Sequence, residues 1–200
     1  MSTFDNITQF ENLISQYFNA PFGVAVDCCT HGLELCLKYE NLNYFSTPKH
    51  TYLSVPMLGN KLGIDHHWED SKWEEYYYIS DNIIDAAVLW RENSYIKGTY
   101  MVLSFQFRKH LSLGRGGMIL LDNEKAATEL RKMVYDGRDN TTGLPWAEQE
   151  VTSFGYHYYM TPEVAQSGLH KFYDAICTKP KEWSWKNYPD LSNFKVFNNV

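Results

Sequence analysis

The sequence predicts an α/β fold, and three observations carry that expectation. Short apolar runs at 23–26, 100–103 and 118–121 read as buried strands. Segments at 6–18 and 124–134 repeat their apolar residues at helical spacing. A glycine cluster (Gly114, Gly116, Gly117) closes the bend between the second and third apolar runs. Bends at the ends of strands are where α/β proteins place ligands.

Composition bounds the function. The 200 residues suffice for one domain with a substantial core. A formal net charge of −6 argues against a general nucleic-acid binder. Cys28, Cys29, Cys36 and Cys177 form no C-x-x-C pair, which suggests neither a disulfide framework nor a zinc site and points to a reducing cytoplasm. No signal peptide or membrane-spanning run is visible, so no membrane role is expected. Aromatic residues at 16% fit wide rings in the core, a stacking pocket or a large subunit interface.

In chain order, Ile7, Phe10, Leu13, Ile14 and Phe18 define a first helix with Asp5 or Asn6 as its cap. Pro21 and Gly23 end it, and 23–26 form a strand. Asp27, the adjacent Cys28 and Cys29, and Thr30 lead into a helix over 31–39; free N–H groups at such a helix start attract an anion. Thr30 reads equally as an ordinary helix cap. Residues 61–64 fit a further strand. Asp65, His66, His67, Glu69 and Asp70 resemble metal ligands in type, but consecutive histidines on a strand point to opposite faces, so 65–70 reads as a solvated loop. A short helix is expected over 73–78, an amphipathic helix over 124–134, and another from Pro162 to about Cys177. Residues 179–200 read as an irregular tail after a domain spanning 1–178.

The central bend, SFQFRKHLSLGRGG at 104–117, holds Ser104 and Lys109. An amine held among Phe105, Phe107 and Leu111 is disfavoured as an ammonium by desolvation, which makes it usable chemically. Taken alone, Lys109 reads equally as a solvated loop cation.

The pattern S-F-x-x-x-K followed by G-x-G-G and an apolar strand resembles the DegT-type sugar aminotransferases, fold-type-I pyridoxal phosphate (PLP) enzymes. The resemblance implies that Lys109 forms the internal Schiff base and that Ser104 contacts the cofactor phosphate. Residues 28–33 (CCTHGL) resemble the family's S-G-T-x-A-L phosphate turn, implying phosphate contacts from Thr30 and His31; the family's glycine is Cys29 here. Residues 51–54 (TYLS) resemble the family's T-aromatic-x-x-T/S stretch, which implies that Tyr52 stacks on the pyridine, although a lone tyrosine after a strand is otherwise core or interface. IIDAA at 83–87 places Asp85 where the family's aspartate pairs with the pyridine nitrogen. An acid is needed there because PLP withdraws electrons only while that nitrogen stays protonated.

The family's G-x-N-Y-R-M-x-E block, which reaches the neighbouring active site in its dimers, is matched by Gly155, Tyr158, Met160 and Glu163. His157 replaces the asparagine, leaving it as a polar cofactor or substrate contact, and Tyr159 replaces the arginine. Arg115 stands where the family's turn has glutamate, and Val88 where it often has Gln or His.

The implied fold is a three-layer α/β/α sandwich with a mostly parallel sheet, a minimised fold-type-I large domain whose small C-terminal domain is largely absent. The implied function is PLP-dependent transamination from glutamate or another amino acid to a keto-sugar carried on a nucleotide, in a homodimer with shared active sites. The alternative is a non-catalytic binding or assembly subunit that keeps the fold, favoured by Arg115, Val88, His157 and Tyr159.

Overall fold

The computed structural model describes residues 4–198. In chain order these form α1 (Asp5–Phe18), β1 (Phe22–Val26), α2 (Cys29–Tyr39), β2 (Tyr44–Pro48), α3 (Met57–Leu62), β3 (Asp65–Glu69), β4 (Tyr77–Tyr78), β5 (Ile83–Asp85), β6 (Tyr100–Ser104), β7 (Gly117–Leu121), α4 (Glu124–Val134), α5 (Pro162–Cys177) and α6 (Lys195–Asn198).

The main sheet has the order β1-β7-β6-β5-β4. The expected mostly parallel sheet is corrected to a mixed one: β5 and β6 run parallel, whereas β1–β7, β7–β6 and β5–β4 are antiparallel. The reason lies in the connections. Residues 105–116 carry no helix and return the chain beside itself, which gives antiparallel neighbours. Residues 86–99 cross over between β5 and β6 and leave them parallel.

Alternation along the strands feeds two separate apolar clusters. Val24, Val26, Val102, Ile119 and Leu121 pack with Leu33 and Leu37 of α2 and Leu130 of α4. Ala25, Met101, Leu103, Met118 and Leu120 pack with Phe10, Ile14 and Phe18 of α1 and Ala165 of α5. Helices therefore cover the sheet from both sides. A separate parallel pair, β2–β3, and long extended stretches depart from a regular three-layer sandwich.

Other expectations shift locally. Residues 61–64 are not a strand: Lys61 and Leu62 end α3, and Gly63 stops it in the left-handed conformation (φ 65°). Residues 65–69 are a strand rather than a loop, with His66 and Trp68 half-buried between exposed neighbours, an alternation masked by polar residue types. The helix expected over 73–78 is extended chain; Glu75 sits at φ 63° and Tyr77 and Tyr78 pair with β5. Asp5 lies in the first turn of α1 and not at its cap. The tail carries short 3-10 turns at Trp185–Asn187 and Leu191–Asn193 before α6. No helix among the described residues is long and apolar enough to cross a membrane.

Candidate active site

Asp85 is the last residue of β5 and is buried to 4% exposure. Its carboxylate accepts from the Tyr77 hydroxyl at 2.5 Å, from the Ala87 N–H at 3.0 Å and, weakly, from the Cys29 thiol at 3.9 Å. Tyr77 is in turn hydrogen-bonded to Thr51. Since the phenolic proton goes to Asp85, Thr51 is the donor in that second bond. Burial pushes the Asp85 carboxyl above the usual range, against the pull of its donors and of Lys109. The nearby acid Asp81 is exposed before β5.

Lys109 lies in the bend, its N–H bonded to the Gln106 carbonyl at 2.8 Å. Burial pulls its ammonium below the ordinary lysine value, while the charge of Asp85 opposes that shift. Amine and acid are not ion-paired among the described residues, yet each feels the other's charge. The Lys109 Nζ sits 5.3 Å from the centre of the Trp183 ring. His110 turns the other way, its Nε2 on the Ala175 carbonyl of α5 at 2.7 Å.

Ser104 ends β6 opposite Gly117. A Cβ on Gly117 would stand 2.7 Å from the Cys29 nitrogen, so the absent side chain is what lets the start of α2 seat on β7. That start has no side-chain cap. Its first-turn N–H groups and the helix dipole together suit an anion. The Thr30 hydroxyl lies beside them, paired with Ser54 at 2.6 Å. Cys29, in the place of the family's glycine, directs its sulfur inward to Asp85 and the Val102 carbonyl rather than into the turn.

His31 stacks on Tyr158 at 3.7 Å and binds Asp27 at 2.7 Å through Nδ1. Burial opposes its cation, but Asp27 and Cys28 outweigh it and the imidazolium is pushed up to about 9. Arg115 donates to the other Asp27 oxygen at 2.7 Å. Asp27, Cys28 and His31 bring ligating atoms within 4.8 Å of one another. Both carboxylate oxygens are taken, however, and the group is an ion-pair network.

The loop after β2 touches both halves of the site, Thr51 reaching Tyr77 and Ser54 reaching Thr30. Tyr52 lies between them in sequence, 57% exposed. The structure thus gathers Thr30, Tyr52, Asp85, Ser104 and Lys109 around one region. His157 stands elsewhere, exposed and hydrogen-bonded to Asp136 at 3.1 Å. Sequence reasoning missed Cys29, Thr51, Ser54, Tyr77 and Trp183. The only local hint was polar or aromatic residues flanking motif positions, which many surface segments share.

The sequence profile of the DegT/DnrJ/EryC1/StrS aminotransferase family matches residues 96–179. An uncharacterized protein of Methanocaldococcus jannaschii, MJ1066, is 23% identical over 233 residues, covering 90% of this chain and 60% of its own length. Helicobacter pylori PseC, an aminotransferase involved in the biosynthesis of pseudoaminic acid, superposes with a TM-score of 0.78 at 10% identity, over 98% of this chain and 80% of PseC. The PLP form of Spr1654 from Streptococcus pneumoniae, described as a sugar aminotransferase, gives a TM-score of 0.72 at 15% identity, over 88% of this chain and 61% of that one. The chain therefore spans about 60% of the length of the curated relative it matches. Residues 96–179 match the DegT/DnrJ/EryC1/StrS aminotransferase family, and the chain as a whole carries the α/β fold of solved aminotransferases.

Proposed function

We propose that this chain is the cofactor-binding part of a PLP-dependent aminotransferase that moves an amino group from an amino acid such as glutamate to a keto-sugar or similar carbonyl. The observation that carries the reading is the shared burial of Lys109 and Asp85 beside an uncapped helix start. The site residues fit the group. The α2 N–H groups with Thr30, His31 and Ser104 suit its phosphate, Asp85 suits a protonated ring nitrogen, and Tyr52 suits the ring face.

When bound, PLP supplies an aldehyde and an electron-withdrawing ring. Lys109 would supply the amine that holds the aldehyde, and its Nζ would take and return a proton as general base and acid. A lowered ammonium favours both tasks at neutral pH. Asp85 would hold the ring nitrogen's proton, and Tyr77 and the Ala87 N–H orient that carboxylate.

A homodimer with shared sites belongs to the same proposal. Phe154 (92% exposed) and Trp146 (69%) leave large apolar surface on the loop before α5, and a second copy is the economical cover. His157, on the same side of the chain order, would then act as a polar contact in the partner's site.

The test is an absorbance spectrum of the purified protein with PLP. A band that Lys109→Ala abolishes supports cofactor capture, and bleaching by glutamate supports transamination. A protein that stays colourless favours a non-catalytic binding subunit.

A further inference from the structure

The C-terminal tail reaches the site and is fastened there. The Glu75 N–H donates to the Trp183 carbonyl at 3.2 Å, and the Trp185 N–H to the Trp73 carbonyl at 3.1 Å. The Leu191 N–H donates to the Lys49 carbonyl at 2.9 Å, and His50 Nδ1 pairs with the Tyr188 carbonyl at 2.8 Å. Backbone bonds of this kind fix a segment independently of its side chains.

The fastened tail contributes Trp183 and Tyr188 to a run of rings that Trp73 and Tyr77 complete between the amine and the acid. Lys109 Nζ lies 5.3 Å over Trp183, and Trp183 meets Tyr188 at 6.1 Å. Tyr188 meets Trp73 at 5.6 Å, and Trp73 meets Tyr77 at 5.2 Å. Tyr77 ends the run on Asp85. Trp183 is half-buried, and its ring lies over the amine.

We infer that Trp183 is a positioning residue for Lys109, its indole face holding the amine in the site from the C-terminal tail. A cation within about 6 Å of an indole centroid is attracted by the ring's quadrupole. The other groups facing the amine are Asp85 from β5, Cys29 from α2 and Arg108 beside it in the bend. Asp85 acts with the ring in favour of the cation, Arg108 against it, and Cys29 is a neutral thiol. The inference rests on reading Lys109 as the working amine, and its test needs no cofactor.

The experiment is reductive methylation of the whole protein with ¹³C-formaldehyde and cyanoborohydride, followed by NMR titration of the methylated amines. Lys109→Arg assigns the Lys109 signal. Trp183→Leu keeps an apolar side chain at the position but has no ring face, whereas Trp183→Phe keeps a face. The expected result is a Lys109 midpoint about 0.5–1 pH unit lower in Trp183→Leu and within a few tenths of the parent in Trp183→Phe. Unmoved signals from the other lysines show that the fold is intact. An unchanged midpoint in Trp183→Leu, or equal shifts in both variants, overturns the inference. A midpoint that shifts as expected in a protein that binds no PLP leaves the inference standing and removes the cofactor reading.

Discussion

Tyr77 lies directly across from Asp85 in the β4–β5 register, and its hydroxyl donates to Asp85 Oδ2 at 2.5 Å. The two-residue strand β4 thus exists, in functional terms, to bring one phenol to one carboxylate. Tyr77→Phe removes the donor and leaves Asp85 and Thr51 each short of a partner in a buried place. Losing a hydrogen bond to a charged group costs about 1.5–3 kcal/mol. Because that bond holds the Asp85 carboxyl down against burial, its loss raises the carboxyl further. Urea denaturation checks the first expectation, and ¹³C carboxylate NMR of Asp85 against pH checks the second; an unshifted carboxylate would detach Tyr77 from the acid's electrostatics.

Gly117 makes a stricter demand than its place in a glycine-rich bend suggests. An added Cβ would meet the Cys29 nitrogen at 2.7 Å, the Cys28 carbonyl carbon at 2.8 Å and the Leu103 oxygen at 2.9 Å. All three are backbone atoms and cannot turn aside. Gly117→Ala is expected to cost about 2–3 kcal/mol by overpacking and to displace the start of α2. Gly114→Ala meets no atom within 4 Å but forces φ 84° on alanine, so its cost is backbone strain alone and smaller, about 1 kcal/mol. Thermal unfolding of the pair separates the two causes.

The parts of this fold that were legible in sequence are those whose information is local. α4 and α5 lie where the apolar period and Pro162 place them, and the Asn123 cap of α4 is added by the structure. β6 and β7 are continuous apolar runs because both of their faces are covered. The motifs singled out Asp85 and Lys109, and the structure brings them near enough for each to feel the other's charge. What failed depends on pairing. The direction of β7 is set by how 105–116 returns, which no period in the chain encodes, and β3 hides its alternation in His66, His67 and Trp68. Thr51, Tyr77 and Trp183 matter through residues far away in sequence, so a local reading passes over them.

Glu11 and Arg131 join α1 to α4 beneath β1. The Glu11 carboxylate accepts from the Ala25 N–H at 2.8 Å and from Arg131 at 3.2 Å, while Arg131 also reaches the Gly23 carbonyl at 2.7 Å. Burial raises the Glu11 carboxyl, and Arg131 is the strongest influence against that rise. Arg131→Met strands a buried carboxylate, at a cost of about 3–5 kcal/mol near neutral pH. The sign follows from proton binding. A carboxyl raised in the folded state binds protons there that the unfolded chain has lost, so stability falls as pH climbs above 4.5 toward the folded value. Removing Arg131 raises that value further and widens the window, so the deficit of the variant shrinks on acidification. Denaturant midpoints of both proteins between pH 5 and 8 read this directly, and a deficit independent of pH would mean that Arg131 acts through packing alone.

His31 gives a slope of the same sign in a window that reaches to about 9. Burial works against its cation, but the hydrogen bond to Asp27 and the neighbouring Cys28 raise it from 6.5 to about 9. A base raised on folding stabilises fully below its unfolded value and loses that contribution as pH rises through the folded one. Stability should therefore decline between pH 6.5 and about 9, by an amount on the order of 3 kcal/mol at most. Asp27→Asn removes the carboxylate that holds the imidazolium and should bring its midpoint back toward 6.5. The same change frees Arg115, which loses its 2.7 Å partner beside the start of α2. Imidazole ¹H NMR titration of parent and variant settles the assignment. A His31 midpoint that stays near 9 in Asp27→Asn would mean that Cys28, and not the carboxylate, holds the charge.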